Sequence, residues 1–189
     1  MNPRIKAVLI NFGFTLLGAG IGFGTAWYFY KRANIQILRD HRKEVIEHLR
    51  QELKDNTSKE LFSMRALGEL TSYPFPPLRT SALEKFVEDF GILKLKDTSL
   101  ERDCDMLKIG VRTFNDHVSQ LNLETGVLAV LTSDREMSVD ERKRMKKYQE
   151  FVHNTYENII KPQMCSLSVY LTKNHNSLIR TGKPESPKE

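Results

Sequence analysis

The longest apolar stretch of the chain runs from Ala7 to Tyr30 and contains no charged residue. A helix rises about 1.5 Å per residue, so this stretch would form a helix of about 36 Å, whereas the hydrocarbon core of a bilayer is about 30 Å thick. The stretch is also longer than the apolar core of a typical cleaved signal peptide. It therefore predicts one transmembrane helix, within an anchor that comprises residues 1–32.

Residues typical of a membrane–water interface lie at the second boundary of this stretch. They are Trp27, Tyr28, Tyr30, Lys31 and Arg32. More Lys and Arg residues lie after the stretch than before it, and cytoplasmic flanks carry such an excess. We therefore expect a single-pass protein of the cell (inner) membrane, with the bilayer as its first partner and its C-terminal domain in the cytoplasm.

Small residues recur along the same stretch at the spacing of one helix face. Gly18, Gly22 and Ala26 are four residues apart, and Gly20 and Gly24 form a second row. Because small residues at this spacing let another helix approach closely, the pattern favours a homo-oligomer or a partner transmembrane helix. The alternative is that glycine is simply frequent in membrane helices.

Beyond the anchor, no proline or glycine interrupts the segment from Lys31 to Leu67, and its apolar residues follow a helical period. We expect the membrane helix to continue through this segment as a stalk. Three prolines within residues 74–77 then end the helix, because proline lacks the backbone N–H that a helix interior needs. The soluble helical domain is predicted to comprise residues 33–172.

The clearest periodic segment of this domain has apolar residues separated alternately by four and three positions: Leu100, Cys104, Leu107, Val111, Phe114, Val118 and Leu121. This spacing predicts a helix that packs inside an antiparallel bundle. Helix starts are predicted where Ser or Thr precedes Glu by three positions, at Ser81–Glu84, Thr98–Glu101 and Ser138–Glu141. The expected fold class is all-α, with a small antiparallel helical bundle following the transmembrane helix and stalk.

The last predicted helix carries apolar residues from Met145 to Leu171, and Pro162 is expected to kink or divide it. After Leu171 the sequence becomes polar and contains proline and glycine. Such a composition cannot bury enough apolar surface to order the chain. We therefore expect residues 173–189 to form a disordered tail.

The chain has 189 residues, a net charge of +5 and two cysteines, Cys104 and Cys165, which lie far apart in the sequence. Neither cysteine belongs to a CxxC pair, so the sequence indicates neither a disulfide framework nor a zinc site. It also contains no recognised catalytic or phosphate-binding motif. We therefore expect no catalytic residue and no cofactor, we identify no small-molecule substrate, and we do not expect an enzyme.

Two histidine-containing sets have a spacing that suits a metal. His41, Glu44 and His48 share a helix face, and Glu150 with His153 forms a Glu-x-x-His pair. A di-metal bundle needs that pair on two helices, together with a further Glu from each of two others. Solvated helix faces are therefore the favoured interpretation of both sets, and no metal is expected.

A basic run is the most conspicuous feature of the soluble part: Arg142, Lys143, Arg144, Lys146 and Lys147. One hypothesis is a patch for anionic lipid or phosphate. The favoured alternative is a solvated helix face, because Asp140, Glu141 and Glu150 supply opposite charges nearby. Nucleic-acid binding is not expected, since no aromatic stacking platform or known module accompanies the run.

Two short segments, Gln51–Asn56 and Leu78–Glu84, resemble parts of a set of uncharacterised prokaryotic proteins. These proteins have one N-terminal membrane helix and a cytoplasmic helical domain that opens with a Glu-Leu-x-x-Asn segment. The resemblance implies the same architecture and a prokaryotic setting, and it carries over no activity.

Taken together, these patterns predict a noncatalytic, membrane-tethered helical interaction or scaffold protein that self-associates through its glycine face. One alternative is an accessory or regulatory subunit of a larger membrane complex. A membrane-bound enzyme with an unrecognised site is the third.

Overall fold

The structure, a computed structural model, describes residues 3–57, 62, 75–131 and 136–183, with side chains from residue 12 onward except that of residue 131. These residues form helices and no strand, which confirms the predicted all-helical fold class. The helices are α1 (Pro3–Asn56), α2 (Ser81–Asp89), α3 (Thr98–Leu131), α4 (Val139–Thr155), α5 (Lys161–Lys173) and α6 (His175–Thr181). A π-helical segment, Tyr156–Ile160, joins α4 to α5.

The chain divides into two compact units, residues 1–41 and residues 42–189. Helix α1 continues through Lys31 without a break, as predicted for the stalk, and it ends at Asn56. Of the remaining predicted stalk up to Leu67, only Thr57 and Phe62 are among the described residues. Within the described part of the chain, no helix is both long enough and apolar enough to cross a membrane, so the predicted transmembrane helix is not confirmed.

The core of the second unit is built on the α3 seam predicted from the four-and-three spacing. All seven seam residues are buried, and Thr125 and Leu128 extend the buried face to the end of the helix. The rings of Phe62, Phe114 and Tyr156 pack against one another beside the seam, with centroids 5.0–6.0 Å apart. This aromatic cluster lies near the middle of α3.

Helices α3 and α4 pack antiparallel, and α5, which follows α4, packs against the N-terminal part of α3. Near the C-terminal end of α3, Thr125 Oγ1 lies 3.6 Å from Met145 Sδ. Further back along α3, the rings of His117 and Phe151 lie 4.9 Å apart. Next along the pair, the Ile160 side chain lies 3.5 Å from where a Cβ on Gly110 would be. A Cβ at Gly110 would thus make an ordinary van der Waals contact with the π-helical segment, which shows that α3 passes close to it here.

The three predicted capping boxes have different outcomes. The Ser138–Glu141 box is confirmed: Ser138 Oγ accepts from the Glu141 N–H at 3.3 Å, and the Glu141 carboxylate accepts from the Ser138 N–H at 2.8 Å. The Thr98–Glu101 box is wrong by one residue, because the Asp97 side chain caps α3 by accepting from the Leu100 N–H at 3.1 Å.

The third box, Ser81–Glu84, is wrong because α2 receives its cap from another helix. The Glu52 carboxylate of α1 accepts the N–H groups of Ala82 and Leu83 at 2.8 and 3.0 Å, and the Ser81 hydroxyl at 3.1 Å. A carboxylate at a helix N-terminus satisfies N–H groups that have no partner within the helix. Glu52 is buried by this arrangement, so one side chain joins α1 to α2.

The proline-containing segment 75–80 is held by three asparagine side chains. Asn122 exchanges two hydrogen bonds of 2.8 Å with the backbone of Phe75, and Asn115 does the same with Leu78. Asn56 of α1 brackets Arg79 with bonds of 2.7 and 2.9 Å. Each amide thus supplies one donor and one acceptor to a backbone that is not part of a helix.

The irregularity predicted at Pro162 takes the form of a π-helical turn, since the backbone stays helical from α4 through Tyr156–Ile160 into α5. The Lys161 N–H bonds to the carbonyl of Tyr156, five residues earlier, and α5 begins at Lys161 with Pro162 in its first turn. A π-helical turn beside proline accommodates a residue that has no N–H to donate and whose ring would clash with the carbonyl four residues earlier in a regular α-helix.

The predicted disordered tail is wrong for residues 175–181, which form α6. Leu178 is fully buried, and the Lys96 N–H bonds to the Gly182 carbonyl at 2.6 Å. A single buried leucine in a polar segment gave too weak a signal for the sequence to predict. Residues 184–189 lie outside the described part of the chain.

Candidate functional site

The residues predicted to lie in and beside the membrane are on α1, in the first unit. Between Phe12 and Tyr30, every large hydrophobic side chain is exposed to between 56% and 75%. Lys31 Nζ lies 5.1 Å from the centre of the Trp27 ring, and the rings of Tyr28 and Phe29 meet edge to face. Arg32 is also exposed. The described part of the predicted span is therefore a helix with an apolar surface on all sides.

The predicted packing face of α1 is open. A Cβ added at Gly18, Gly20, Gly22 or Gly24 would meet no heavy atom within 4 Å, and Ala26 is exposed. Thr25 bonds to carbonyls of its own helix, those of Ile21 and Gly22. Close approach of a second helix to this face therefore meets no side chain of the described chain.

The basic run begins α4, and all five of its cations are exposed. Arg142 lies 3.8 Å from Glu136 and Lys146 lies 3.8 Å from Glu150, both at the outer limit of an ion pair. Lys143, Arg144 and Lys147 have no ion pair with another described residue. Met145, within the run, is buried against Thr125, which fixes the opposite face of the helix toward solvent.

A cavity of about 250 Å³ opens between the first turns of α3 and the middle of α5. Four aliphatic side chains and five polar ones line it: Leu100, Met106, Leu107 and Leu167, with Ser99, Asp103, Gln163, Ser166 and Tyr170. Its size is near the lower end of small-molecule sites. Its lining offers hydrogen bonds and one carboxylate, with no histidine to act as a base toward its hydroxyl groups.

Asp97 and Tyr170 form a tight pair at the edge of this cavity, with the Tyr170 hydroxyl donating to the Asp97 carboxylate. Burial raises the pKa of Asp97, but hydrogen bonds from Ser99, Tyr170 and the Leu100 N–H outweigh it, so the net shift lowers that pKa. Burial and the neighbouring carboxylate raise the pKa of Tyr170 well above its usual value. The pair therefore consists of an ionised carboxylate and a neutral phenol, and it fixes α5 to the start of α3.

Arg42 joins three segments at the same end of the second unit. Its guanidinium donates to the carbonyls of Leu93, Lys94 and Ile179 at 2.6, 3.2 and 3.3 Å. The side chain is only 5% exposed. A planar guanidinium can serve several carbonyls at once because its donors point in fixed, divergent directions.

The structure places the two cysteines in different environments. Cys104 is buried in the α3 seam, where burial raises the pKa of its thiol to about 12, and Cys165 is exposed on α5. A thiol that stays protonated is a poor nucleophile. Within the described residues, no group of three or more His, Cys, Asp and Glu side chains is arranged to hold a metal.

No protein-family model, curated protein or solved structure matches the chain. The resemblance carried by Gln51–Asn56 and Leu78–Glu84 therefore stays a prediction. The structure does bring these two segments together, since Glu52 caps α2 and Asn56 brackets Arg79. Their contacts hold the fold, and sequence patterns could not reveal that the two segments meet.

Proposed function

We propose that this chain is a noncatalytic, membrane-tethered helical interaction or scaffold protein of the inner membrane, with its helical domain in the cytoplasm. The observation that supports it best is the exposed apolar surface of α1 between Phe12 and Tyr30. Water disfavours a continuous apolar surface of this size, and a bilayer or an apolar partner would remove it from water. The predicted span begins at Ala7, so part of it precedes the side chains that the structure describes.

Extraction of native membranes with alkaline carbonate tests the anchor directly. We expect the full chain to stay in the membrane pellet and to enter the supernatant only when detergent is added. Replacing Leu16 and Ile21 by Arg should release the chain, because each charge at the centre of a span costs about 3 kcal/mol. The matched control replaces Ile35 and Ile37, which lie beyond the predicted span, and should leave the chain in the pellet. Recovery of the unmodified chain in the carbonate supernatant would contradict the anchor.

The open glycine face supports self-association as the mode of interaction. Crosslinking of the full chain in membranes should give a homodimer or a homotypic ladder. Gly22→Ile should reduce that product strongly, because a branched side chain separates the two backbones. Ile21→Val, at the adjacent position, should not. A single crosslinked product containing a foreign protein would instead favour the alternative, an accessory subunit of a larger membrane complex.

The cavity beside Tyr170 supports binding more than catalysis. The Asp97 carboxylate is occupied by hydrogen bonds from Ser99, Leu100 and Tyr170, and the Tyr170 phenol is kept neutral. Neither group is placed to take a proton from a substrate. A membrane-bound enzyme is therefore the least favoured of the three candidate functions.

A further inference from the structure

The end of the second unit that contains Arg42 carries a group of outward-facing cations. Arg42 holds the carbonyls of Leu93 and Lys94, and the Lys96 N–H bonds to the carbonyl of Gly182. The loop that follows α2 and the segment that follows α6 are thereby fixed side by side. We call this surface the Arg42-end surface; its exposed members are Ile92, Lys94, Lys96, Arg180 and Lys183.

The cations of the Arg42-end surface make no ion pair with the described part of the chain. None of its four cations has an ion pair with another described residue. Asp97, the next residue after Lys96, is buried, and its carboxylate is occupied by hydrogen bonds. Ile92 is 66% exposed among these cations. An exposed apolar side chain in the same loop as two exposed lysines suits the headgroup region of an anionic bilayer.

The position of this surface along the chain also favours a bilayer. Only residues 31–41 separate the predicted span from Arg42, and a chain of that length reaches at most about 40 Å even when fully extended. The basic run at Arg142–Lys147 lies at the opposite end of α3, beside Thr125. The stretch of α3 from Leu100 to Thr125 is about 38 Å long, so the basic run and the Asp97 cap lie at opposite ends of this helix. The Arg42-end surface is thus the cationic surface within easier reach of the membrane.

We propose that the Arg42-end surface docks on the anionic leaflet of the bilayer that holds the anchor, through lipid phosphate groups and the Ile92 side chain. This inference rests on the proposed membrane anchor. The Arg42 guanidinium does not itself bind lipid, because it is buried; it holds the two cation-bearing segments in place. The basic run is not part of the docking surface.

The test uses the full chain in nanodiscs with a fluorescent probe at the Arg42 end. Cys165→Ser removes the exposed native thiol, and the buried Cys104 stays unlabelled. Gly91→Cys places the label, since a side chain there meets nothing within 4 Å. A spin-labelled headgroup quencher is added to nanodiscs of phosphatidylcholine alone or of an equal mixture with phosphatidylglycerol. We expect quenching to be roughly twofold or more greater with the anionic lipid, and to fall as salt is raised.

Two sets of charge replacements serve as test and matched control. K94Q, K96Q, R180Q and K183Q together should abolish the dependence of quenching on anionic lipid. K143Q, R144Q, K146Q and K147Q, which remove the same number of charges from the basic run, should leave it unchanged. A label at Val139→Cys, beside that run, should show no dependence on lipid charge. All the replaced side chains are exposed, so each variant is expected to fold. Circular dichroism and thermal unfolding verify this for each variant.

The outcomes separate docking from anchoring. Equal quenching at position 91 in neutral and anionic nanodiscs would overturn the docking proposal while leaving the anchor intact. Loss of the effect with the basic-run control, and not with the Arg42-end replacements, would also overturn it. Failure of the unmodified chain to enter nanodiscs would overturn the anchor and this inference together.

Discussion

At the scale of single residues, polar side chains of the second unit hold backbone segments that form no regular structure. Asn115 and Asn122 lie seven positions apart on α3, so they share one face of the helix. Each brackets a backbone residue of the segment that contains Pro76 and Pro77. That segment has few N–H groups and makes no helix, so these side chains satisfy groups that would otherwise be buried without a partner.

Asn115→Ala tests this role. It leaves the N–H and the carbonyl of Leu78 without their partner, and we expect the free energy of unfolding to fall by about 2 kcal/mol. Urea unfolding of the full chain in mild detergent, followed by circular dichroism, measures the change. Ser119→Ala, at an exposed position one turn further along α3, should change it by less than about 0.5 kcal/mol. Equal effects of the two substitutions would contradict the bracketing role.

Asp97 makes the free energy of unfolding of the second unit depend on pH at acid pH. Its pKa is lowered in the folded chain, so its stabilising contribution is complete above the ordinary value of 3.8 and is lost as the pH falls below that value through the lowered pKa. Asp97→Asn should therefore reduce the free energy of unfolding by about 2 kcal/mol at neutral pH.

The difference between the unmodified chain and Asp97→Asn should then shrink as the pH falls below 3.8. Thermal unfolding across the acid range measures it, with the exposed Asp116→Asn as the matched control. Tyr170→Phe should raise the pKa of Asp97 toward its ordinary value, because it removes one hydrogen bond to the carboxylate. A difference that stays constant down to the most acid pH would show that ionisation of Asp97 does not matter.

At the scale of elements, the sequence predicts contacts between residues that are close along the chain, and it does not predict contacts between residues that are far apart along it. The spacing predicts the α3 seam because every residue of the seam lies on one helix. The sequence also predicts the Ser138–Glu141 cap, because its two residues are only three positions apart. The cap of α2 comes from Glu52, 30 and 31 residues before the N–H groups it accepts. No local pattern contains that pairing, so the sequence predicts Ser81 as the cap instead.

The π-helical segment explains an irregular spacing that the sequence alone left ambiguous. Buried residues follow one another at Val152, Tyr156, Ile160 and Met164, each four positions after the last. In a regular α-helix, three such steps would turn the buried face by about 120°. The wider turn of Tyr156–Ile160 takes up that rotation. It buries Ile160 and leaves Ile159 52% exposed, a choice between adjacent isoleucines that sequence could not make.

Deleting Asn158, an exposed residue of the π-helical segment, tests this explanation. The deletion changes the spacing at that point from four to three, so a regular α-helix would keep the flanking residues buried. We expect cooperative unfolding, with a loss of no more than about 2 kcal/mol. Deleting Ser119 from α3, where the spacing is already regular, rotates the rest of the helix by about 100° and should abolish cooperative unfolding. Loss of cooperative unfolding in both deletion variants would contradict the explanation that the π-helical segment keeps the buried face in register.

At the scale of the whole molecule, the two units differ in how their surfaces are satisfied. The first unit exposes apolar side chains that suit a lipid environment, whereas the second buries its apolar residues in one core. The second unit closes on itself at Arg42, where its first residue donates hydrogen bonds to the loop after α2 and to Ile179 of its last helix. No sequence pattern predicts this closure, because Arg42 donates to backbone carbonyls, which any residue supplies.

Gly182 is the position in this closure where any other residue would be strained. Its φ of +71° lies in the left-handed region, and a Cβ there would lie 2.5 Å from the Lys94 carbonyl and 2.7 Å from the Arg42 guanidinium. Gly182→Ala should therefore lower the free energy of unfolding by at least about 2 kcal/mol, through backbone strain and displacement of Arg42. Gly91→Ala, where a Cβ meets nothing within 4 Å, should change it little.

The coupling between Gly182 and Arg42 can be measured with a double-mutant cycle in urea. Arg42→Met removes the guanidinium and its three hydrogen bonds, so Gly182→Ala should cost less in that background than in the unmodified chain. Strict additivity would mean that Gly182 stabilises the fold through its own backbone alone. A Gly182→Ala chain as stable as Gly91→Ala would mean that the closing contact does not form, and that the end of the chain is not held against Arg42.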